Sequence, residues 1–410
     1  MRRSAFNRLQ QRADYTYKYN LRTGRHGWLR LTPAYSVRIV EELLDQTQGH
    51  LRVFDPFCGT ATTALGAAYH GHDAVTIDIN PFLVWLGQAK TRLYTARAIA
   101  QAGEASTEAL RLANSGSVKA ASPPLIHNIE RWWAPEAVEF LCRLQAALDR
   151  TLPSESDAGV LLRVAFCRTL MACSNAAFNH QSMSFKDTNQ LRLLEPDYAD
   201  SFRNSVAFVL EGASENPARE AQVILHDARE LATLITEPFD LVITSPPYAN
   251  RMSYIRELRP YMYWLRFLTD GREAGELDWL AIGGTWGIAT SRLNAWQPEE
   301  EAYTSEEFEK VLDRIANPIN SNGPLLATYI RKYVADMEKH FAELRAVLKP
   351  RAKIHYIVGN SSFYGELLPV ERLYASILAR LSFRDIHIQP LRKRNSKREL
   401  VEFDVSATFE

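Results

Sequence analysis

The most constraining feature of this sequence is a strand, a glycine-containing loop, a helix and a second strand within residues 51–79. An apolar run at 51–54 leads into DPFCGTATT at 55–63. A helical stretch at 63–70 ends at Gly71, and residues 74–79 form a second apolar run. A β-loop-α-β unit predicts a parallel sheet with a ligand bound at the carboxyl ends of its strands.

The loop of this unit has the chemistry of a nucleotide site. Gly59 lets the backbone pass close to a ligand, and the following helix presents free N–H groups at its start. Asp78, at the end of the second strand, is suited to bind ribose hydroxyls. The loop contains neither GxxxxGK[ST] nor a full GxGxxG, which excludes a triphosphate loop. A nucleotide-type cofactor and a plain strand–turn–helix connection remain as alternatives.

A second pattern, FDLVITSPPY at 239–248, is an apolar strand that ends in a rigid loop. Pro246 and Pro247 hold this loop extended and leave carbonyls free to face a ligand amine. Tyr248 offers a flat ring for stacking a base, and Ser245 offers a hydroxyl that donates or accepts. The alternative is a surface proline turn with a half-buried tyrosine.

The rest of the chain alternates between strand and helix patterns around a long helical stretch. We interpret 95–215 as a mostly helical insertion. The periodicity predicts helices over 324–348, stopped by Pro350, and over 370–381. Further strands are predicted at 223–225, 354–358, 384–388 and 400–409. Because the last two strands are consecutive, we expect one antiparallel strand at the sheet edge.

Composition excludes several classes of protein. The chain has 48 Lys and Arg and 48 Asp and Glu, so no overall charge indicates nucleic acid or membrane binding. Its four cysteines form no CxxC pair, which argues against a zinc site or a disulfide framework. No apolar run of 18 residues and no signal-peptide core occur, so we expect a cytoplasmic, nucleoid-associated protein without a membrane span.

Together the two patterns resemble a known family. DPFCGTATT with IDINP at 77–81 is similar to the S-adenosylmethionine-binding motifs of amino-group DNA methyltransferases. TSPPY at 244–248 is similar to their catalytic motif in the form typical of N4-cytosine enzymes, whereas adenine enzymes usually carry Asn or Asp first. Four further segments share the resemblance, at 26–44, 226–230, 354–362 and 392–403.

The resemblance implies a Rossmann-like methyltransferase fold: a seven-stranded sheet with an antiparallel last strand, plus the helical insertion. It implies that S-adenosylmethionine is the cofactor and that the target base leaves the DNA duplex. Cofactor-binding roles are implied for Asp55, Phe57, Cys58, Gly59, Thr60, Asp78, Asp227 and Thr32. Catalytic roles are implied for Ser245, Pro246, Pro247 and Tyr248. The family usually has Gly where this chain has Ala61, which weakens cofactor binding if φ is positive there.

Candidate DNA contacts come from three polar or basic stretches. One is the run 179–186 after an apolar helix, another follows the SPPY loop, and the third is the basic turn near residue 395. The candidates are Asn250, Arg251, Tyr254, His180, Ser182, Arg392, Arg394 and Lys397.

These inferences give an expected organisation of the chain. The core comprises 1–94, 216–269 with the SPPY loop and 326–410, while 95–215 is the insertion and 270–325 is a candidate target-recognition segment. We expect transfer of a methyl group to the N4 amine of cytosine in double-stranded DNA, with a cognate restriction endonuclease as a functional partner. The alternatives are N6-adenine methylation, RNA base methylation and a DNA-binding protein that has lost catalysis. A C5-cytosine mechanism needs a Pro-Cys nucleophile, and no Pro-Cys occurs.

Overall fold

The computed structural model describes residues 9–31, 34–177, 184–185, 197–234, 236–250, 253–284, 288–317, 322–394 and 399–410. Its strands, numbered in chain order, form one large sheet and two short hairpins. The strands are β1 (Arg52–Asp55), β2 (Asp73–Asp78), β3 (Ala176–Ala177), β4 (Ser184–Phe185), β5 (Gln222–Leu225), β6 (Phe239–Thr244), β7 (Leu348–Gly359), β8 (Ser361–Phe363), β9 (Glu366–Leu368), β10 (Arg384–Lys393) and β11 (Val401–Thr408).

Helices flank the sheet and fill the long connection between β2 and β5. The α-helices are α1 (Tyr17–Asn20), α2 (Val37–Leu44), α3 (Thr62–Tyr69), α4 (Pro81–Thr91), α5 (Ala96–Ser115), α6 (Ile129–Trp132), α7 (Pro135–Thr151), α8 (Asp157–Ala172), α9 (Tyr198–Ser214), α10 (Tyr254–Trp264), α11 (Gly271–Leu280), α12 (Ile288–Leu293), α13 (Glu306–Ala316), α14 (Gly323–Leu344) and α15 (Val370–Arg380). Short 3₁₀ turns lie at Ala13–Tyr15, Gly24–Gly27, Leu231–Thr233 and Arg345–Val347. Within the described ranges, no helix is both long and apolar enough to cross a membrane.

The large sheet has the strand order β10-β11-β7-β6-β1-β2-β5. β1 lies at the centre of the parallel part and pairs with both β2 and β6. β11 pairs antiparallel with β7 on one side and with β10 on the other. This seven-stranded order with an antiparallel last strand is that of the Rossmann-like methyltransferase fold, as the sequence predicted.

The expected position of the antiparallel strand was wrong. The sequence analysis predicted the antiparallel strand at the sheet edge. In the structure, the antiparallel strand β11 lies between β7 and β10, and β10 forms the edge. The physical reason is that the chain turns back after β10 and enters the place between β10 and β7. β11 then satisfies its backbone groups on both sides, which an edge strand cannot do.

Strand side chains alternate between two apolar layers. Phe54 and Val242 face a cluster formed with α13, α14 and α15, whereas Val53, Leu241 and Ile243 face a cluster formed with α2 and α3. Because successive side chains of a strand point to opposite faces, the near-continuous apolar runs of β1 and β6 match a sheet covered by helices on both sides.

The insertion and the 270–325 segment contribute mainly to different cores, although Ala274 of the segment joins the core of the insertion. Helices α5 to α9 pack with α4 and α10 in a third apolar cluster, which contains the buried Trp132 and Trp133. In the 270–325 segment, Leu293, Tyr303 and Phe308 belong instead to the sheet cluster with α14. Much of the apolar surface of both segments is therefore committed to the interior.

The expected end of the long helix at Pro350 was also wrong. α14 ends at Leu344, and β7 already begins at Leu348 and contains Pro350. The next residue, Arg351, has φ +68° and its N–H donates to the Phe409 carbonyl over 2.7 Å. The proline therefore occupies an irregular stretch of the strand, where a missing N–H is tolerated.

The turn into α3 has a strained residue. Ala61 is the N-cap of α3, is fully buried and has φ +58° and ψ +33°. This is the left-handed region, in which a Cβ costs about 1–2 kcal/mol. The positive φ considered in the sequence analysis is therefore present, at the position where the family usually has glycine.

We expect Ala61→Gly to stabilise the protein by about 1 kcal/mol, because glycine removes the steric cost of the left-handed conformation. Chemical denaturation monitored by circular dichroism measures the change. Ala67→Gly is the matched control, since Ala67 is equally buried but lies inside α3, where glycine destabilises a helix by about 1 kcal/mol. If both substitutions destabilise the protein equally, the left-handed conformation of Ala61 carries no steric cost.

Candidate active site

A single cavity opens at the carboxyl ends of β1, β2 and β6. Its wall includes Gly59 and Asp78 from the first pattern, and Ser245, Pro246 and Tyr248 from the second. The structure thus brings both halves of the predicted site around one space, as expected where parallel strands end together. Other predicted residues in the wall are Phe57, Cys58, Thr60, Asp227, Pro247, Asn250, Tyr254, Arg392 and Arg394.

Asp55 lies beneath this cavity and ties two strand ends together. Its Oδ1 accepts a hydrogen bond from the Thr244 hydroxyl at 2.6 Å and another from the Phe57 N–H at 3.0 Å. Its own carbonyl accepts from the Thr76 hydroxyl at 2.8 Å. The carboxyl group is almost fully buried, and its Oδ2 has no hydrogen-bond partner among the described residues.

Asp78 fixes the loop of the first pattern against β2. Its Oδ2 accepts from the Gly59 N–H and its Oδ1 from the Asn80 N–H, each at 2.9 Å. The Cys58 N–H also donates to the carbonyl of Ile77 at 2.8 Å. The carboxylate is therefore held at the cavity wall, and each oxygen retains a lone pair for a further donor.

Asp227 stands at the end of β5 in a bidentate pair. Its two oxygens accept from Nε and Nη2 of Arg229 at 3.0 and 2.7 Å. Arg229 also binds Asp336 at 3.0 Å. Beside Asp227, the Ala228 carbonyl bonds with the buried His340 at 2.8 Å. The bidentate pair therefore fixes Asp227 in the cavity wall, which also contains Asp78.

Burial sets the protonation of these carboxyl groups. It raises the pKa of Asp55 to about 7, although the bonds from Thr244 and Phe57 act in the opposite direction. It raises the pKa of Asp78 to about 6 in the same way. Burial also opposes ionisation of Asp227, but the bonds and charge of Arg229 outweigh it and lower the pKa. Two carboxyl groups therefore titrate close to neutral pH.

The Cys58 thiol is inert in this site. The side chain is buried, and burial raises the pKa of the thiol well above its ordinary value. Nucleophilic cysteines require the thiolate. Cys58 therefore contributes a wall of the cavity rather than a nucleophile.

The sequence analysis missed Lys90, which supports the loop from below. Lys90 is fully buried in α4, and its ammonium group donates to the carbonyls of Thr60 at 3.0 Å and His26 at 3.2 Å. Burial lowers the pKa of this lysine to about 7. The signal available in the sequence was the position of this lysine within the apolar stretch of α4. Interpretation of α4 as an amphipathic helix would place the lysine at the surface.

The SPPY loop is held by two tyrosines from outside it. The Tyr333 hydroxyl, on α14, donates to the Pro247 carbonyl at 2.8 Å, and the Tyr248 N–H donates to the Tyr254 hydroxyl at 3.2 Å. No described residue donates a hydrogen bond to the Pro246 carbonyl. The loop is thus fixed at two backbone groups, and the Pro246 carbonyl keeps its acceptor capacity.

The Tyr248 side chain meets a carboxylate that the sequence analysis did not single out. Its hydroxyl donates to Glu402 Oε1 at 2.9 Å, and Glu402 is bound in turn by Arg392. The guanidinium carbon of Arg394 lies 4.8 Å from the centre of the Tyr248 ring. The signal for Glu402 was an acid between Val401 and Phe403, in a strand that is otherwise largely buried.

The candidate DNA contacts occupy different places. Arg392 and Arg394 were expected as phosphate contacts on the basic turn between the last two strands, and the structure places both half-buried in the cavity wall. Arg392 pairs with Glu402, and Arg394 donates to the Asn360 carbonyl at 2.7 Å. Asn250 is exposed at the cavity. Five predicted residues lie outside the described part of the chain: Thr32, His180, Ser182, Arg251 and Lys397.

Comparison with known proteins gives relatives over most of the chain. No protein-family profile matches it. It is 21% identical over 365 residues to the type II methyltransferase M.MvaI of Kocuria varians, covering 84% of this chain and 78% of that protein. It is 23% identical over 445 aligned positions to the type II methyltransferase M.BsoBI of Geobacillus stearothermophilus, covering 95% and 84%. These relatives support a methyltransferase. Together with the fold, they imply S-adenosylmethionine as the methyl donor.

Solved structures add little to this result. Two structures of the rRNA methyltransferase aviRa from Streptomyces viridochromogenes align with TM-scores of 0.31 and 0.32, at 10% and 11% identity. They cover 96% and 97% of this chain and 96% of aviRa. Because both TM-scores are below 0.5, these structures do not support the fold assignment, which rests on the strand order.

The residues of the methyltransferase cavity fit this donor, which carries cationic groups and ribose hydroxyls. Gly59 has φ +49°, and a Cβ there would meet only the Phe57 carbonyl, at 3.8 Å, so the loop leaves room for close approach. The unpartnered Oδ2 of Asp55 is a buried acceptor suited to a cationic group. Asp78 retains acceptor capacity for hydroxyls. When bound, S-adenosylmethionine supplies an electrophilic methyl group on sulfur.

We expect the affinity for S-adenosylmethionine to fall by about tenfold or more between pH 8 and pH 5. The pKa values of Asp55 and Asp78, about 7 and about 6, are raised, so both carboxyl groups take up protons in this range. Their neutral forms attract a cation and accept hydrogen bonds less well. Isothermal titration calorimetry at several pH values measures the affinity.

Variants test the assignment of this pH dependence. Asp78→Asn should weaken binding at pH 8 and flatten the profile. Asp240→Asn is the control, because Asp240 lies toward the amino end of β6 and pairs with Lys349 at 2.9 Å, away from the cavity. An unchanged profile in Asp78→Asn would remove Asp78 from the cofactor site.

Proposed function

We propose that this protein transfers a methyl group from S-adenosylmethionine to the exocyclic N4 amine of a cytosine in a specific DNA sequence. The observation that carries the proposal is the shared cavity, with Gly59 and Asp78 on one side and Ser245, Pro246 and Tyr248 on the other. Such a cavity brings a methyl donor and an acceptor base into one space, and alignment of two bound reactants is a major source of rate.

The SPPY loop supplies acceptors for an amine. The exocyclic amine of cytosine is a weak nucleophile, because its lone pair is delocalised into the ring. Hydrogen bonds from its two N–H groups to the Ser245 oxygen and the Pro246 carbonyl favour a pyramidal nitrogen with a localised lone pair. That lone pair then points along the axis of methyl transfer, and no covalent enzyme intermediate is required.

Tyr248 supplies the stacking surface for the base. Its hydroxyl and its backbone N–H are both bonded, so the ring is held in one orientation. Stacking of a base on an aromatic ring contributes roughly 1–3 kcal/mol. A base reaches such a wall only after it leaves the duplex, which costs a few kcal/mol. Stacking therefore offsets much of that cost.

Two further observations favour amine methylation of DNA. The buried Cys58 thiol is unsuited to the nucleophilic role that C5-cytosine methylation requires. The relatives are named type II methyltransferases, and the motifs resemble those of DNA enzymes. Serine at position 245, where adenine enzymes usually have Asn or Asp, favours cytosine over adenine.

The experiment is incubation of the protein with DNA and isotopically labelled S-adenosylmethionine, followed by nucleoside mass spectrometry. We expect labelled N4-methylcytosine, and sequencing of the product then locates the site. Labelled N6-methyladenine would move the specificity to adenine, and label only in RNA would contradict a DNA substrate. Calorimetry that detects no cofactor binding would support a DNA-binding protein without catalysis.

We expect Ser245→Ala and Tyr248→Ala each to lower the rate of methyl transfer by roughly 100-fold, while cofactor affinity changes less than about twofold. Ser245→Ala removes an acceptor of the amine, and Tyr248→Ala removes the stacking surface. Single-turnover kinetics and calorimetry measure the two quantities. Ser214→Ala, at the exposed end of α9, is the control. Equal losses of rate and of cofactor affinity would argue against a base-binding role.

A further inference from the structure

Three polar side chains on one face of α14 bind the loop that follows β5: Asp336, His340 and Glu343. Their spacing of four and three residues places them on the same side of the helix. They contact the Arg229 side chain at 3.0 Å, the Ala228 carbonyl at 2.8 Å and the Ala232 N–H at 2.9 Å, respectively. β5 is an edge strand that pairs with β2 alone among the described strands. The helix therefore supplies support that a second neighbouring strand would give.

This loop forms the part of the cavity wall that adjoins Asp78. Leu225 is the register partner of Asp78, and the His226 N–H donates to the Asp78 carbonyl at 3.1 Å. The next two residues, Asp227 and Ala228, line the cavity. The Asp227 carboxylate is ionised at neutral pH, since its pKa is lowered, and it retains lone pairs for an N–H or O–H of a ligand.

The two partners of His340 determine where its proton lies. The Ala228 carbonyl only accepts hydrogen bonds, so Nδ1 of the neutral imidazole carries the proton and donates. Nε2 then accepts from the Tyr356 hydroxyl at 2.5 Å. Burial lowers the pKa of His340 to about 4, so the ring is neutral near neutral pH. The imidazole therefore donates to the loop as a single tautomer.

One peptide group connects His340 to the Asp227 carboxylate. Its carbonyl, that of Ala228, accepts from His340. Its N–H, that of Arg229, donates to Asp227 Oδ1 at 2.8 Å. Because a peptide group is planar, its carbonyl and its N–H turn together. A bond at the carbonyl therefore fixes the direction of the N–H that holds the carboxylate.

The same imidazole supports a second residue of the cavity wall. Phe57, in the loop after β1, meets the ring of His340 edge-on, with the ring centres 4.9 Å apart and the planes at 64°. Phe57 lines the cavity as Ala228 does, and His340 is fully buried behind them. One side chain thus contacts wall residues from two separate loops.

We propose that His340 is a positioning residue for the methyl donor, which holds the peptide between Ala228 and Arg229 so that the Asp227 carboxylate faces the cofactor. The inference rests on the donor half of the proposed function and requires no particular target base. The imidazole transfers no proton and forms no covalent bond. The defect expected on its loss is therefore in cofactor affinity and not in the rate at saturating cofactor.

The test compares two substitutions of His340 for their affinity for S-adenosylmethionine, measured by isothermal titration calorimetry. In His340→Asn the amide nitrogen takes the place of Nδ1 and still donates to Ala228, whereas in His340→Gln it reaches the place of Nε2. We expect binding to weaken by roughly tenfold in His340→Gln and by less than about threefold in His340→Asn. Both variants lose the ring beside Phe57, so their difference measures the bond. Equal affinities of the two variants overturn the proposal.

His355→Gln is the matched control. His355, on β7, also has a polar partner, Asp404 at 2.8 Å, but it lies outside the cavity wall. We expect its cofactor affinity to stay within about twofold of the wild type, and the same for the single-turnover rate of His340→Gln at saturating cofactor. A tenfold loss of affinity in the control, or a loss confined to the rate in His340→Gln, overturns the role in donor binding.

Asp227→Ala tests whether the effect passes through the carboxylate. Once the carboxylate is absent, the direction of the Arg229 N–H no longer affects the ligand. We therefore expect His340→Gln to weaken binding by less than about twofold in the Asp227→Ala background, against roughly tenfold in the wild type. Losses that multiply in the double variant overturn the connection between the two residues.

A spectroscopic readout in the wild-type protein decides the question if His340→Gln folds poorly. Long-range ¹H–¹⁵N correlation spectra show which ring nitrogen of a histidine carries the proton. We expect the signals of His340, identified by their loss in His340→Asn, to show a neutral ring with the proton on Nδ1 near neutral pH. A proton on Nε2, or a charged ring, overturns the bond to Ala228 and with it the proposal.

These outcomes separate the inference from the proposed function. The expected difference between His340→Gln and His340→Asn, in a protein that methylates no DNA, counts against the proposed function alone. A protein that methylates DNA but whose two variants bind S-adenosylmethionine equally keeps the proposed function and loses the role of His340. Wild-type protein that binds no S-adenosylmethionine contradicts both.

Discussion

The hydrogen bond between Thr244 and Asp55 is the contact on which the cavity depends. It joins the last residue of β6 to the last residue of β1 at 2.6 Å, in the buried centre of the sheet. The loop after β1 follows Asp55 and the SPPY loop follows Thr244, so this bond helps to set their relative position, together with the bond from the Thr63 hydroxyl to the Ile243 carbonyl. A hydrogen bond contributes about 0.5–1.5 kcal/mol to stability, and about 1.5–3 kcal/mol when its acceptor is charged. The parallel pairing of β1 with β6 supports the same contact.

The sequence was sufficient to predict the parts of the fold that local patterns determine. β6 occupies the FDLVIT run, and α15 begins at Val370, where the helix pattern begins. The seven-stranded sheet with an antiparallel last strand came from the resemblance and is present. The convergence of Asp78 and Ser245 on one cavity was also expected, because the carboxyl ends of parallel strands meet at one edge. The chemical roles of these residues remain predictions.

The remainder depends on contacts between distant residues, which no local pattern records. The place of β11 beside β7 depends on pairing between strands that α15 and β10 separate in the chain. Once β11 lies there, Glu402 comes opposite Arg392 and beside Tyr248, which is 154 positions earlier in the chain. Lys90 was missed for the same reason, since its two carbonyl partners, His26 and Thr60, belong to separate segments of the chain. The turn at Arg392 and Arg394 looked like an exposed basic patch because its acidic and aromatic partners are distant in sequence.

The two sides of the cavity differ in how far their polar groups are satisfied. On the side of the SPPY loop, the Glu402 carboxylate is bound by Arg392 and Tyr248, and the Pro247 carbonyl is bound by Tyr333. On the cofactor side, Asp55 retains an unpartnered buried oxygen and Ala61 retains a strained backbone. A buried carboxyl group without a nearby cation favours its neutral form, which is why its pKa is raised. A bound cation would reverse that preference, so occupation of the cofactor side changes the charge beneath the Thr244 bond. In the proposed function, the donor side therefore gains its charge balance from the ligand, whereas the acceptor side is already rigid before a base arrives.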